Sequence, residues 1–590
     1  MRLLTLLVPI FAGSLAAQRP AGPPQALAIA SGDWPMAARD YAATRFSPLT
    51  ELKPENVAGL KVIWTFATGS LRGHEGNPLV VGGRLYLHTP HPVTLYAFDL
   101  DRPGSPPLWK YAPRSRDPAP FVCCDGTSRG IAWHPSGKLY VPLVPGDLAA
   151  VDAASGREIW RVRNGDPAQG LTMPAAPLVI GDVVVVGVAG GEFGARGYLS
   201  GYDAATGKLL WRAYSTGSDR EVLLDGPVNT ASPAQAGADL GLSTWPADAW
   251  RRGGGATWGW LSYDPELDLL FHGTGGAAPL NPVQRIGDNK WTSTLFARDP
   301  RTGHARWALQ LTPRSGFSFD ASNESVVADL TLQGRSLKSL VHFDHNGFVY
   351  TIERATGRIQ RAEKYGPVNW ARGVEAATAV PNLEPSWSVV PGQPLQGVCP
   401  SIMGLKGLQP AAYSSPLSLF FVPVNNVCMD YLVTPATFTA GRPFLGATIR
   451  LTAGPGGHSG RFIAWDAARS TLAWEVREPF PVLSGALVTA TGLAFYGTVD
   501  GWLKAIDARN GSEVWRFRTP SGNIGNPITF SGPDGKQYLA IVSGVGGWAG
   551  AAFARAATPR ANDPLGAAAL FRDLPRVTNP GGVLLVFGLP

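Results

Sequence analysis

The sequence predicts an all-β fold, an eight-bladed β-propeller with loop insertions. Three observations predict it: a phrase that recurs along the chain, the spacing of its copies, and a composition suited to short strands and tight turns. The phrase is an apolar strand, an acidic residue, a few small or polar residues that often include Gly, and a Trp about eight residues after the acid. It reads VDAASGREIW at 151–160, YDAATGKLLW at 202–211, RDPRTGHARW at 298–307, WDAARSTLAW at 465–474 and IDARNGSEVW at 506–515. A degenerate copy, IERATGRIQR at 352–361, ends in Arg, and looser copies end at Trp64 and Trp109, which makes eight units. The 71 glycines, 52 prolines, 19 tryptophans and 16% charged residues suit many short strands.

Each part of the phrase has a physical reading. Asp-x-x-x-Gly between two strand-like runs is hairpin chemistry, in which the Asp side chain caps the turn and Gly accepts positive φ. A strand-only unit repeating every 40 to 50 residues reads as a propeller blade. Trp109, Trp160 and Trp211 lie 51 residues apart, and Trp474 and Trp515 lie 41 apart. The gaps of 96 residues before Trp307 and 113 before Trp474 each hold one unit plus an insertion, and long insertions in a compact fold tend to be functional loops. A Trp that recurs once per unit reads as blade-to-blade docking rather than chemistry.

The N-terminus, MRLLTLLVPIFAGSLAAQRP, reads as a secretory signal peptide over residues 1–17. Its apolar run is too short to span a bilayer, and the small residues up to Ala17 suit cleavage. Residues 18–590 then read as one propeller domain, periplasmic, with no transmembrane segment. The net charge of +7 is spread over scattered arginines, so nucleic acid is not an expected partner, and an acidic protein partner is compatible with the charge. There are four cysteines. Outside the cytosol they allow two bridges, and the adjacent pair Cys123 and Cys124 leaves three arrangements open: a bridge to each other, two long-range bridges, or free thiols.

The segments that do not repeat are CCDGTSRG, GGEFGARGYL, GGGATWGWLSYDP, GDNKWTSTLFARD, CPSIMG, NNVCMDY and GVGGWAG. In this order they resemble the quinoprotein alcohol dehydrogenases that use pyrroloquinoline quinone (PQQ), most closely the methanol dehydrogenase large subunit, from about Trp34 to Phe587. The resemblance implies the eight-bladed quinoprotein fold and a set of site residues. Cys123 and Cys124 would form a vicinal disulfide over one face of the planar quinone, and Trp258 would lie under the other. Arg129 would contact the redox carbonyls and Glu75 would touch the quinone. Glu192 would hold the metal, a Ca2+ or a lanthanide ion, and Trp548 would stand at the mouth of the substrate cavity. Cys399 and Cys428 match the second disulfide of the family. The implied reaction oxidises a small alcohol by hydride transfer to PQQ, with the cation as Lewis acid and an aspartate as base. No CxxCH occurs in the chain, so the implied electron acceptor is a separate soluble cytochrome c. A homodimer or a small companion subunit stays open.

Several positions depart from the family pattern. Ser318 stands where the family has its catalytic Asp, and Gly276 where it has a metal-binding Asn. His345 replaces an Arg, and Pro174, Gly407 and Leu483 replace Thr, Asn and Trp. Asp320 matches the extra ligand of the lanthanide-using branch, since a hard trivalent ion favours carboxylate oxygens. With a serine hydroxyl unable to act as base at neutral pH, Asp320 and His345 become the candidates for that role. Two functions are therefore weighed: an active dehydrogenase, or a catalytically degenerate propeller that serves as a binding or assembly protein.

Overall fold

The computed structural model of the chain describes residues 27–114, 125–224, 232, 235–557, 563 and 565–590. The expected signal peptide and the pair Cys123 and Cys124 lie outside them. Almost every element is a β-strand, and the strands run as antiparallel four-stranded meanders. Among the described residues there are seven four-stranded sheets and one five-stranded sheet, and each of the eight repeat units seen in the sequence falls in its own sheet. One of them runs Leu178–Ile180, Val183–Gly187, Tyr198–Asp203 and Leu209–Tyr214. Its second strand is wholly buried, and its last mixes exposed, half-buried and buried residues. First strands of successive sheets touch, as Ala132–His134 touches Leu178–Ile180, so the sheets succeed one another about a common centre as in a propeller.

The repeated phrase does two jobs. Asp152 accepts the backbone N–H of Ser155 at 2.8 Å, and Asp203 accepts that of Thr206 at 2.8 Å, which are the turn caps expected of Asp here. In five units the Trp then docks on the turn of the next. The Trp109 indole N–H donates to the Ala153 carbonyl at 3.2 Å, Trp211 to Pro300 at 3.0 Å, Trp307 to Arg354 at 3.1 Å and Trp474 to Ala508 at 3.1 Å. In the first of these pairs the indole lies over the turn glycine, so a Cβ on Gly156 would stand 2.6 Å from the Trp109 ring.

The degenerate unit explains itself by the same geometry. Arg361 replaces the Trp and donates to the Ala468 carbonyl at 2.7 Å and to the Ser470 hydroxyl at 3.3 Å. Ser470 holds the left-handed conformation, φ 56°, at the place where the other turns use Gly. With no indole packed on it, that position tolerates a Cβ. Gly156→Ala is therefore expected to cost about 1–3 kcal/mol of stability, by overpacking the indole and straining a positive φ. Ser470→Gly should change stability by less than about 1 kcal/mol. Urea unfolding of the two variants measures the contrast.

The ring is closed by the chain ends: Lys61–Ala67 pairs antiparallel with Val583–Gly588, which continues into Gln537–Ser543 and Ile528–Ser531. The long gap before Trp474 contains a hairpin, Ala371–Glu375 with Val380–Leu383, and a three-stranded sheet of Leu395–Val398, Val427–Val433 and Ala447–Ala453. A Cys399–Cys428 disulfide ties the end of Leu395–Val398 to the strand Val427–Val433 beside it, as the family resemblance implied. Among the described residues no helix is long and apolar enough to cross a membrane.

Candidate functional site

In an antiparallel meander, the start of the first strand and the end of the second lie at the same edge. Arg129, Trp258, Ser318, Asp320 and Gly407 precede first strands, whereas Glu192, Gly276, His345 and Trp548 follow second strands. All nine consequently line one cavity of about 1170 Å3, its open mouth included.

Its floor is Trp258. The Arg129 guanidinium lies 5.1 Å from the indole centroid and donates to the Trp258 carbonyl at 3.2 Å. Glu75 stands behind Arg129, with Oε2 3.0 Å from Nε, in an ionic contact rather than an aligned hydrogen bond. Burial raises the Glu75 carboxyl, and Arg129 and a hydrogen bond from Thr127 oppose that rise. The pair fixes a buried cation over an aromatic ring.

Asp320 is held from two sides. The Trp258 indole N–H donates to Oδ2 at 2.7 Å, and the Gly276 backbone N–H donates to Oδ1 at 2.6 Å. The side chain keeps some surface toward the cavity yet lies too deep for bulk water to solvate its charge. Burial pushes its carboxyl up to about 7 despite those two donors, and the negative charges of Glu192 and Asp344 add to the rise. Glu192 sits in the short turn Gly191–Phe193, raised by burial and opposed by Arg129.

His345 is 95% buried, with its ring 6.0 Å from that of Trp258. Both ring nitrogens lack a hydrogen-bond partner in the protein. Burial, with Lys406 and His342 nearby, lowers it to about 3, so it is a neutral imidazole at physiological pH. Ser318 adopts φ 53°, and its Oγ would lie 2.6 Å from a Cβ placed on Gly276. The hydroxyl thus occupies the space a side chain at 276 would enter.

The PQQ family model described as "Glucose/ethanol/alcohol dehydrogenase, beta-propeller domain" matches residues 34–360 and 460–539. A lanthanide-dependent methanol dehydrogenase of Methylacidiphilum fumariolicum (strain SolV) is 46% identical over 568 residues, 95% of this chain and 92% of that protein. The chain belongs to the PQQ-dependent dehydrogenase family. Subunit 1 of a methanol dehydrogenase [cytochrome c] of Paracoccus denitrificans is 40% identical, over 95% of this chain and 91% of its own. A solved europium-containing methanol dehydrogenase superposes with a TM-score of 0.93 at 45% identity, covering 95% of this chain and 98% of that one.

The residues present fit the cofactors of this PQQ-dependent family. An indole with a guanidinium over its ring suits a planar, anionic ring system, and the two unpartnered nitrogens of His345 await polar atoms of a ligand. Glu192 and Asp320 supply the oxygen donors a hard cation takes. Among the described residues no three His, Cys, Asp or Glu side chains converge, so such a cation would draw its remaining oxygens from elsewhere.

Most of the residues singled out in the sequence therefore meet. Arg129, Glu192, Trp258, Ser318, Asp320, His345 and Trp548 line the cavity, as do Pro174, Gly276 and Gly407, and Glu75 backs Arg129. Cys123 and Cys124 lie outside the described residues. Leu483 belongs to the hydrophobic core instead of lining the wall. Sequence reading missed Thr127, two residues before Arg129 in the same loop, and the apolar wall of Leu280, Phe444 and Leu445. For the last three no local pattern separates a cavity wall from core.

Proposed function

We propose that this chain is an exported, eight-bladed PQQ-dependent alcohol dehydrogenase that passes electrons to a separate cytochrome c. The observation that carries the reading is the meeting of Glu192, Asp320, the Glu75–Arg129 pair and Trp258 around one cavity. Eight sheets, one per repeat unit, support the blade count. The signal-like N-terminus supports a periplasmic location, and the names of the Paracoccus relative and the absence of a CxxCH support the acceptor.

When bound, the quinone supplies the hydride acceptor and the cation, Ca2+ or a lanthanide, supplies Lewis acidity. Trp258 would pack against one face of the ring system. Arg129, held by Glu75, donates toward its carbonyl edge. Glu192 and Asp320 hold the cation. Trp548, at the start of the helix Gly547–Ala557, narrows the substrate's way in.

Asp320 is the proton acceptor for the alcohol's hydroxyl. Its carboxylate borders the cavity and can accept a proton there, whereas His345, lowered to about 3, holds one too weakly. His345 instead offers its ring N–H to a polar atom of the bound ring system, and Ser318 fills space.

Ser318 and Gly276 favour a second reading, a propeller that binds the quinone without turnover. Reconstitution with PQQ and either Ca2+ or a light lanthanide, followed by dye reduction over a panel of alcohols, separates the two. The expected result is dye reduction with at least one metal; a quinone spectrum without reduction under either metal sinks the dehydrogenase reading.

A further inference from the structure

Resting on the dehydrogenase reading, we propose that the substrate is a primary alcohol bearing an apolar substituent of several carbons, and that Leu280, Phe444 and Leu445 set its size. The cavity has a charged end, at Glu192 and Asp320, and an apolar wall that begins one hydrogen bond away from it. The backbone N–H of Phe444 donates to the Glu192 carbonyl at 2.8 Å, and that of Leu280 donates to the Leu445 carbonyl. One loop of the long insertion is thereby stitched to both the carboxylate turn and the loop that carries Gly276.

The wall is preformed. Phe438 meets Phe444 edge to face, with centroids 5.6 Å apart and planes at 85°, and a Cβ on Gly194 would lie 2.9 Å from the Phe444 ring. The Tyr431 hydroxyl anchors the Leu280 carbonyl at 2.9 Å. The lining residues that precede Leu280 in the same loop, Gly275, Gly276, Ala277 and Ala278, carry nothing larger than a methyl group. Ser318 and Asp320 pack against Gly275 and Gly276, so an alcohol held at the carboxylates lies in the same cavity as the hydrocarbon of Leu280, Phe444 and Leu445. A one-carbon alcohol would leave this surface wet, while each methylene laid on it adds binding. The reaction itself is unchanged; only the group attached to the carbinol carbon is assigned.

The test uses the reconstituted holoenzyme and straight-chain primary alcohols from methanol to octanol. The expected kcat/KM rises about fourfold per added methylene until the space is filled. Leu280→Trp, which fills the wall, should lower the hexanol-to-methanol ratio of kcat/KM by at least tenfold. If that variant does not fold, Leu445→Ala should shift the optimum toward longer chains. A profile that is flat or falls from methanol overturns the substrate assignment while leaving the dehydrogenase reading intact. Bound quinone with no turnover on any alcohol overturns the dehydrogenase reading. Quenching of tryptophan fluorescence then decides size by itself: hexanol binding no tighter than methanol overturns the assignment, and tighter binding sustains it.

Discussion

Asp320→Asn is expected to lower kcat by about 10^3-fold in the quinone- and cation-loaded protein, the scale of losing a positioned general base. Two causes converge on this residue. The amide cannot accept the hydroxyl proton, and it removes one of the two carboxylates available to a cation. The loss of cation affinity is measured separately by titrating a lanthanide into the quinone-loaded protein, where the variant should need at least tenfold more metal. Replacement of Ser318 by Ala, in contrast, should leave kcat within about threefold, because a hydroxyl contributes no base at neutral pH. A large loss from Ser318→Ala, or none from Asp320→Asn, refutes the assignment of the proton acceptor.

The same substitution should remove a pH dependence of stability in cation-free protein. Burial raises the Asp320 carboxyl from an ordinary 3.8 to about 7. Between those values the folded chain keeps a proton that the unfolded chain has released, so stability falls as pH rises through this window. The slope is about 1.4 kcal/mol per pH unit, and the total is on the order of 4 kcal/mol between pH 4 and 8. Asn carries no such term. It does carry a constant penalty, since an amide has one acceptor for the two N–H donors of Trp258 and Gly276. Urea unfolding of both proteins in chelator, at several pH values, should show the variant gaining on the parent by about 4 kcal/mol across the range. A parallel pair of curves would place the titration elsewhere. Added lanthanide should flatten the parent's curve, because cation binding favours the ionised carboxylate.

Much of the fold was legible because its signals are local. The Asp-x-x-x-Gly turn acts within five residues, and the following strand brings its Trp to the next unit at nearly constant spacing, so turn chemistry and docking repeat visibly. The paired exception was not legible in advance: Arg361 and Ser470 stand 109 residues apart, and only their contact explains why one unit lacks Trp and another lacks Gly. In the site, Glu75, Arg129, Glu192, Trp258 and Asp320 were readable through resemblance to a family. The balance between Asp320 and His345 was not, because it depends on how deeply each is desolvated and which charges face it. Leu280 and Phe444 carry no sign in the chain that they face a cavity.

The sequence by itself determined the repeat, its turns, its interlocking tryptophans and the identities of the candidate carboxylates, since each rests on short-range stereochemistry or on a single side chain. Tertiary structure alone decided that Lys61–Ala67 closes the ring against Val583–Gly588, that the Ser318 hydroxyl lies where a side chain at 276 would enter, and that the Trp258 indole N–H is given to Asp320. The physical reason is range. Turn and strand preferences are spent within a few residues, whereas burial, electrostatic shifts and the shape of a cavity exist only after loops far apart in the chain have met.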